Sequence, residues 1–391
     1  MSLKIAITSP YVYPSVIGGA EKYVYCLARS MAKLGSEVVV LTSKPPKGQP
    51  AQPIQEDVKT VFLNPLLSIG ANPLTIGLLE ALKRERPNII HMQAPTLCGD
   101  LSVSFGRLLQ IPVVATFHGG ITRSSAPGFL LKLYNTLYPK LSLNHCDHTI
   151  VTTQHYMSIL EQMGVRKDNM SVVPVGVERS FIDSVVPQAS ENAFDALISK
   201  SGHAPRFRLL FVGALDRHHA YKGVECLLKA LKLVIQRHPD VLLIVAGDGD
   251  RRTYYADLAS NLGVDQYVLF AGWMPDELLL TAYSRCDLFV LPSSSLSEGF
   301  GIVLLEAMSR GCPVLTTTCA GGAEAVHEAK AGIVVESADP VLVSKAILRF
   351  IEDEDFAEKC GKNGLNAVAL KYTWDTIAKR ILKVYNQHAR N

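Results

Sequence analysis

The sequence has little excess charge and none of the patterns that mark export, membrane insertion or nucleic-acid binding. Its 391 residues include 39 Lys and Arg against 36 Asp and Glu, a net charge of +3. Nucleic-acid-binding domains are usually far more basic. From Met1 the chain runs directly into an apolar strand pattern, without the layout of a signal peptide. No apolar stretch is long enough to span a bilayer. These observations predict a cytoplasmic protein that does not bind nucleic acid.

The residues that usually hold metals or cofactors are also missing from recognisable positions. The eight cysteines are scattered without metal-ligand spacing, and no Asp-x-Asp triad marks a diphosphate held by a metal. The first strand pattern is not followed by the spaced glycines of a dinucleotide-binding fingerprint, which makes such an oxidoreductase the least favoured class. A nucleophile elbow for acyl transfer is absent as well. We therefore expect an enzyme that needs neither metal nor cofactor.

What the chain contains is an alternation of short β-rich runs and helical patterns, which is typical of parallel sheets with helices on both faces. The runs are rich in Val, Ile, Leu and Phe, as strands buried on both faces are. The predicted strands are Lys4–Thr8, Glu37–Thr42, Asn88–Met92, Val113–Phe117, His148–Thr152, Ser171–Val175, Arg208–Val212, Val241–Ala246, Tyr267–Ala271, Leu288–Leu291, Pro313–Thr316 and Gly332–Val335. The fold class is α/β, with two Rossmann-like doubly wound domains that face a cleft.

The expected domains are residues 1–177 and residues 206–372. Between them, residues 178–205 are richer in Ser, Pro and charge, and are interpreted as a connection with a surface helix near Ala193–Ser199. The last segment is an amphipathic helix, predicted at Tyr372–Gln387, and residues 373–391 are expected to cross back onto the first domain. Ligands of doubly wound sheets bind at the carboxyl ends of the strands.

Two glutamates stand where a strand passes into a helix. The strand ends at Pro292, a helix is predicted to begin near Phe300, and Glu298 and Glu306 are separated by seven residues. Amides at a helix start suit an anion, and carboxylates can accept hydrogen bonds from sugar hydroxyls. From the residues alone an equally good interpretation is that Glu298 caps the helix and Glu306 lies on a solvated face.

The run Glu298–Gly301, with Glu306 in Leu304–Ala307 and then Gly311–Val314, resembles the signature of retaining glycosyltransferase family 4. The likeness extends over nearly the whole chain, and the motif does not specify the sugar. The family has the GT-B fold, so the resemblance implies a hexosyltransferase-type enzyme with a nucleotide-diphosphate sugar as donor and no metal. It also implies that Glu298 contacts sugar hydroxyls, that Glu306 binds the ribose, and that the amides of Phe300, Gly301, Ile302 and Val303 hold sugar or diphosphate.

The resemblance assigns further residues to the leaving diphosphate and the base. Lys222 would neutralise the diphosphate as the sugar bond breaks. The family usually has an Arg directly after the glycine at position 213, where this chain has Ala214, and Arg217 is the hypothetical substitute. Trp273 and Met274 would line the base pocket, although a packed loop aromatic is nearly as good an interpretation of Trp273.

In the first domain the resemblance points to a glycine pair and a histidine. Gly18 and Gly19 would form a bare loop whose amides approach the diphosphate, whereas the pair alone is also compatible with a tight turn. His118 follows a strand and would position the donor sugar and phosphate rather than act as a nucleophile. Without the resemblance, a single His at a strand end is more often packed or at the surface.

These assignments predict retention of configuration, with transfer from a UDP- or GDP-sugar to a hydroxyl on a lipid-linked or glycan acceptor. Residues 121–141 carry an apolar pattern with two lysines, which could meet a membrane surface peripherally or form a core helix. Alternatives are a GT-B sugar-nucleotide epimerase, a phosphorylase, or a non-catalytic nucleotide-sugar-binding module.

Overall fold

The computed structural model describes residues 2–16, 18–54, 57–69, 72–119, 136–137, 141–202, 204–295 and 297–389. The chain divides into two compact units, one formed by Met1–Gly176 with Trp374–Asn391 and the other by Val177–Thr373. Almost all of segment 121–141, the predicted membrane contact, lies outside the described residues.

The first unit is built on an eight-stranded sheet in the order β4-β3-β2-β1-β5-β6-β7-β8. All neighbouring strands are parallel except β3 and β4, which form an antiparallel hairpin. The strands are β1 Lys4–Ser9, β2 Glu37–Ser43, β3 Val58–Ile69, β4 Asn72–Ile76, β5 Ile89–Ala94, β6 Val113–Phe117, β7 His148–Val151 and β8 Met170–Val172.

Helices cover this sheet and bury its apolar strands, β1 and β5 in particular being almost fully buried. The helices described in this unit are α1 Gly19–Lys33, α2 Leu78–Glu85, α3 Leu97–Leu109, α4 Gln154–Gln162 and the C-terminal helix Trp374–His388, with single 3₁₀ turns at Leu143–His145 and Lys167–Asn169. The C-terminal helix buries an apolar stripe that includes Trp374, Ile377 and Ile381, at the spacing of one helix face.

The second unit has a six-stranded parallel sheet in the order β11-β10-β9-β12-β13-β14. Its strands are β9 Phe207–Val212, β10 Val241–Ala246, β11 Val268–Gly272, β12 Leu288–Leu291, β13 Val314–Thr317 and β14 Gly332–Val335. Because the chain starts at β9, moves outward to β11 and returns to β12, the strand order reverses between β9 and β12. Such a reversal is where doubly wound sheets bind ligands.

The helices of the second unit follow the strands in alternation. They are α5 Arg179–Asp183, α6 Gln188–Ser199, α7 Val224–Val234, α8 Arg252–Leu262, α9 Asp276–Arg285, α10 Ile302–Ser309, α11 Ala323–Ala329, α12 Pro340–Glu352 and α13 Glu354–Lys371, with 3₁₀ turns at Arg217–Lys222 and Asp265–Tyr267.

The predicted α/β class with two Rossmann-like domains is confirmed, and each predicted run appears as a strand. Two features differ from expectation. Residues 178–205 belong to the second unit and carry two helices, where we expected a connection with one. The β3–β4 hairpin was not predicted, since Pro65 and Pro73 interrupt the strand pattern and Pro is confined to strand edges and irregular positions. In the structure the register of the hairpin shifts between Pro65 and Leu67.

Candidate functional site in each unit

Lys222 and Glu298 meet at the carboxyl edge of the second sheet. Lys222 follows β9 and Glu298 follows β12, and these strands are neighbours at the point where the strand order reverses. Lys222 Nζ lies 2.6 Å from Glu298 Oε2, and the two side chains are only 13% and 7% exposed. Charges this buried cost solvation energy unless they are paired. The structure thus brings together two of the predicted catalytic residues in a buried ion pair.

A short 3₁₀ turn carries Lys222 to this position. Asp216 caps the turn, its Oδ1 accepting hydrogen bonds from the amides of His218 at 2.8 Å and His219 at 3.0 Å. Lys222 passes directly over Gly213, where a Cβ would lie 2.8 Å from Lys222 Cδ. Capping and a missing side chain therefore direct Lys222 across the end of β9.

The loops after β9 and β12 are tied to each other. The Ser294 amide donates to the Tyr221 carbonyl at 2.7 Å. Gly223 adopts a φ of +87°, and a Cβ there would collide with the Pro292 carbonyl. Residues with a side chain fit neither the conformation nor the space, so this glycine allows the two loops to approach each other.

The helix that follows Glu298 begins later than the sequence predicts. Its first residue is Ile302, and its N-cap is Gly301, at a φ of +74°. Glu298 is therefore not the N-cap residue of this helix. Gly301 has no side chain with which to cap α10, and the first amides of a helix are groups that can bind an anion. Ile302 and Val303 are partly exposed there, while Phe300 is buried.

The glycine pair after β13 holds the Glu298 loop in place. The amide of Gly321 donates to the Gly299 carbonyl at 2.9 Å, and the amide of Gly322 donates to the Phe300 carbonyl at 2.6 Å. A Cβ on either glycine would press on these same backbone atoms. The backbone from Gly299 to Gly301 is thereby fixed at the start of α10.

Glu306 lies inside α10 and is only 5% exposed, so the interpretation of a solvated face is wrong. The Tyr283 hydroxyl donates to its Oε2 at 3.1 Å. Burial, and then the carboxylate itself, raise the pKa of Tyr283 well above its ordinary value. The phenol therefore stays protonated as a donor and orients the carboxylate. The predicted contact of Glu306 with a ribose remains a prediction.

Arg217 points to a partner that the sequence did not indicate. Its Nε lies 3.1 Å from Asp250 Oδ2, and its amide donates to Asp250 Oδ1 at 3.0 Å. The Arg217 side chain is 80% exposed. Asp250, which stands where Pro is common in the resembled family, is thus the residue that holds Arg217.

The residues predicted for the base pocket separate into an exposed and a buried one. They follow β11, whose last residue Gly272 has a φ of +74° and accepts a hydrogen bond from the Gly247 amide at 2.7 Å. Trp273 is 66% exposed, while the Met274 side chain is buried. An indole this exposed offers a face for stacking. Trp273 is therefore not a packed loop aromatic.

In the first unit, Gly18 and Gly19 follow β1 and open α1. Gly18 is the N-cap in an extended conformation, and as a glycine it has no side chain with which to cap the helix. A Cβ on Gly18 would collide with the carboxylate of Glu21, which lies in the first turn. That carboxylate is the end of a flexible side chain, so backbone strain does not demand glycine at this position.

His118 follows β6 at the carboxyl edge of the first sheet. Its Nε2 lies 2.7 Å from Gln93 Oε1, and its amide donates to the Ala94 carbonyl at 3.0 Å. The Tyr23 ring packs edge-on against the imidazole, with ring centroids 4.7 Å apart. The imidazole is partly exposed, yet burial around it lowers the pKa of His118 to about 4. At neutral pH the ring is uncharged.

Sequence reasoning missed Gln93, Tyr283 and Asp250, each of which contacts a predicted site residue. Only Asp250 left a signal, because it departs from the common residue of the resembled family. Within the part of the chain that the structure describes, no group of three or more His, Cys, Asp or Glu could hold a metal ion. In the same part, no helix has the length and apolarity needed to cross a membrane.

Two glycosyltransferase family models match the chain. The model "Glycosyl transferases group 1" matches residues 194–367, and the model "Glycosyltransferase Family 4" matches residues 17–181. The fold is that of GT-B glycosyltransferases, with two Rossmann-like domains. The two models together span most of the chain, and it belongs to the glycosyltransferases of the family 4 type. It is a sugar-transferring enzyme with a nucleotide-sugar donor, as the resemblance implied.

Three similar proteins illustrate the relationship. An uncharacterized glycosyltransferase of Methanocaldococcus jannaschii is 37% identical over 177 residues, which are 45% of this chain and 44% of that protein. A D-inositol 3-phosphate glycosyltransferase of Corynebacterium kroppenstedtii is 26% identical over 98% of this chain and 88% of its own length. The solved sucrose-phosphate synthase of Thermosynechococcus elongatus superposes with a TM-score of 0.77 at 24% identity, covering 98% of each chain.

Proposed function

We propose that the enzyme transfers a sugar with retention of configuration from a UDP-sugar, or failing that a GDP-sugar, to a hydroxyl acceptor. The observation that carries this proposal is the buried Lys222–Glu298 pair beside the start of α10. It combines a cation for a departing diphosphate, a carboxylate for sugar hydroxyls and amides for an anion at one sheet edge.

The mechanism follows from the chemistry of these groups. Lys222 neutralises the diphosphate as the bond to the sugar breaks, and the amides of Ile302 and Val303 share its charge. Glu298 accepts hydrogen bonds from the sugar hydroxyls, and Glu306 accepts from the ribose. When the donor binds, the direct contact of Lys222 with Glu298 is exchanged for contacts with phosphate and sugar, so that neither charge is left buried and unpaired.

Retention needs no nucleophile from the protein in this proposal. The acceptor hydroxyl attacks from the face that the diphosphate leaves, and the departing phosphate takes the hydroxyl proton. For His118 we propose a role in positioning the sugar and phosphate, and for Gly18 and Gly19 amides that approach the diphosphate. Because Lys222 supplies the positive charge, turnover requires no metal, and EDTA leaves it unchanged.

The first test is a thermal-shift series with UDP-, GDP-, ADP- and dTDP-sugars in the presence of EDTA. A ligand that binds only the folded protein raises the melting temperature according to its affinity and concentration. We expect a shift with the UDP-sugars that Lys222→Met and Glu298→Gln reduce. A shift with another base would replace UDP. No shift with any of them would count against a nucleotide-sugar site in the free enzyme, and would leave only a donor that binds after the acceptor.

The second test identifies the product. Acceptor trials begin with D-inositol 3-phosphate, because a relative bears that acceptor in its name, and continue with glycans and lipid-linked sugars. Proton NMR of the product reports the anomeric configuration, and an inverted product would refute the retaining mechanism. Conversion of the donor to an epimer without acceptor would indicate an epimerase. Co-sedimentation with anionic liposomes tests the peripheral membrane contact through residues 121–141.

A further inference from the structure

Gln93 occupies the end of β5, beside the strand that carries His118. Its side chain is only 2% exposed. Gln93 of β5 pairs in register with Thr116 of β6. His118 lies two residues beyond Thr116, where its imidazole reaches the Gln93 side chain. The Oε1 of Gln93 lies 2.7 Å from His118 Nε2. A buried amide on a rigid strand therefore contacts a partly exposed histidine at the edge of the sheet.

The two nitrogen atoms of a neutral imidazole have different roles, since one carries the proton and the other a lone pair. In the orientation that the structure gives the amide, Oε1 faces the ring and can only accept a hydrogen bond, so it selects the ring form with the proton on Nε2. The lone pair then resides on Nδ1. A neutral His118 in this form accepts a hydrogen bond from a hydroxyl and cannot donate one from Nδ1 to a phosphate.

A second set of contacts restricts the ring. Tyr23 packs edge-on against His118 at an interplanar angle of 79°. The Tyr23 hydroxyl is 3.3 Å from Thr116 Oγ1, which in turn lies 2.7 Å from His91 Nε2. His91 Nδ1 contacts the hydroxyl of Tyr385 on the C-terminal helix. This buried chain of polar groups holds the aromatic ring that confines His118.

The amide nitrogen of Gln93 indicates that this side chain does not stabilise the fold. Its Nε2 is buried and has no hydrogen-bond partner among the described residues. An unpaired buried donor destabilises a protein, and an apolar side chain of similar size would avoid that loss. The contact with His118 is the one hydrogen bond that the structure gives this side chain in the described region.

We propose that Gln93 is a positioning residue, which fixes His118 in the form with the proton on Nε2 so that Nδ1 presents its lone pair to a substrate hydroxyl. The role toward substrate rests on the proposed function, whereas the choice of ring form does not. Gln93 itself touches no substrate in this proposal and acts only through the imidazole.

The test of the ring form uses NMR on the full chain labelled with ¹⁵N-histidine. Long-range ¹H–¹⁵N spectra distinguish the two neutral forms, and the His118 signal is assigned by its loss in His118→Asn. We expect wild type to show the proton on Nε2. Gln93→Leu should shift His118 toward a mixture of forms, while Gln93→Glu, which keeps an accepting oxygen, should preserve the wild-type form. A proton on Nδ1 in wild type, or an unchanged His118 pattern in Gln93→Leu, would overturn the proposal.

Thr149→Val is the matched control, because Thr149 Oγ1 is another buried unpaired atom on the same sheet. Melting temperatures of both variants show whether each protein is folded. The control should leave the His118 signals and the reaction unchanged. A change of the His118 form in Thr149→Val as large as in Gln93→Leu would mean that any disturbance of the sheet produces it, and the proposal would fall.

Kinetics give a readout that a structural role would not move. With a donor and acceptor identified, kcat/KM of Gln93→Leu should fall about 10- to 100-fold, as for a misplaced catalytic contact. Gln93→Glu should recover most of that loss and move the acidic limb of the pH profile upward, because a carboxylate favours protonated His118. Unchanged kinetics in Gln93→Leu would refute the positioning role. If wild type transfers no sugar, the NMR result still decides the ring form, and only the proposed function fails.

Discussion

Replacing Lys222 by Met removes the cation from a pair in which both side chains are largely buried, 13% and 7% exposed. The Met side chain fills similar space, so the main effect is a carboxylate left buried without its nearest cation. Breaking such a pair from one side costs about 3–5 kcal/mol of unfolding free energy. For a unit of this size that corresponds to a fall in melting temperature of about 6–20 °C.

A double-mutant cycle separates the pair from other effects of the substitution. Glu298→Gln retains an oxygen that accepts from Lys222, so its cost should be smaller than that of Lys222→Met. The double variant leaves neither charge of the pair buried. Its loss of unfolding free energy should be smaller than the sum of the two single losses by about 0.5–3 kcal/mol. The exposed pair of Lys362 with Glu358, at 68% and 63% exposure, is the matched control, and Lys362→Met should have no measurable effect.

The assay is calorimetric unfolding of the four proteins of the cycle, with and without the donor found by thermal shift. A melting temperature of Lys222→Met within a degree or two of wild type, as expected for the control, would show that the buried pair does not stabilise the protein. Additive costs in the double variant would likewise contradict a direct interaction. If Lys222 is the cation for the diphosphate, as proposed, donor should protect Lys222→Met less than wild type.

The remaining predictions concern Tyr283, Arg217 and three histidines whose pKa is lowered. Tyr283→Phe removes a hydrogen bond to the buried Glu306; it should cost about 1.5–3 kcal/mol in unfolding experiments and raise KM for the donor. Arg217→Ala should lower kcat/KM and Asp250→Asn should raise it, whereas intact turnover in Arg217→Ala beside inactive Lys222→Ala would refute Arg217 as a phosphate contact. Burial lowers the pKa of His91 to about 3 and that of His118 and His148 to about 4. The folded state therefore binds fewer protons than the unfolded one, whose histidines titrate near pH 6.5. The contribution of these neutral histidines to the free energy of unfolding is therefore complete above about pH 6.5 and is lost as the pH falls toward 4. Melting temperature should fall across this interval, and less steeply in His91→Asn.

The sequence predicted the fold well because buried parallel strands are long apolar runs that leave an unambiguous pattern. Boundaries differ where local rules compete. The helix after Glu298 was placed at Phe300 but begins at Ile302, since the left-handed Gly301 delays it. The β3–β4 hairpin was missed because prolines inside a strand argue against a strand, and here the irregular register accommodates Pro65.

Site residues that directly follow a strand could be predicted, because the order of the strands determines where they lie. Contacts between side chains of elements far apart in the sequence could not be predicted. Lys222 and Glu298 each follow a strand, and the reversal of strand order makes those strands neighbours. Gln93 offered no such signal, because a glutamine in an apolar strand reads as an isolated polar residue until β6 places His118 beside it. Burial of Glu306 was hidden for the same reason, as its partner Tyr283 belongs to another helix.

Ala214, Arg217 and Asp250 depart from the family pattern, and the structure shows that two of the departures are linked. An Arg directly after Gly213 is missing, and the arginine further along the loop is tied to an aspartate on the next loop. The pair is highly exposed, so it contributes only about 0–1 kcal/mol. A bidentate contact of arginine with a phosphate is stronger than that. If Arg217 contacts the diphosphate as proposed, it exchanges Asp250 for phosphate at little cost, and Asp250→Asn should raise kcat/KM because it removes this competitor.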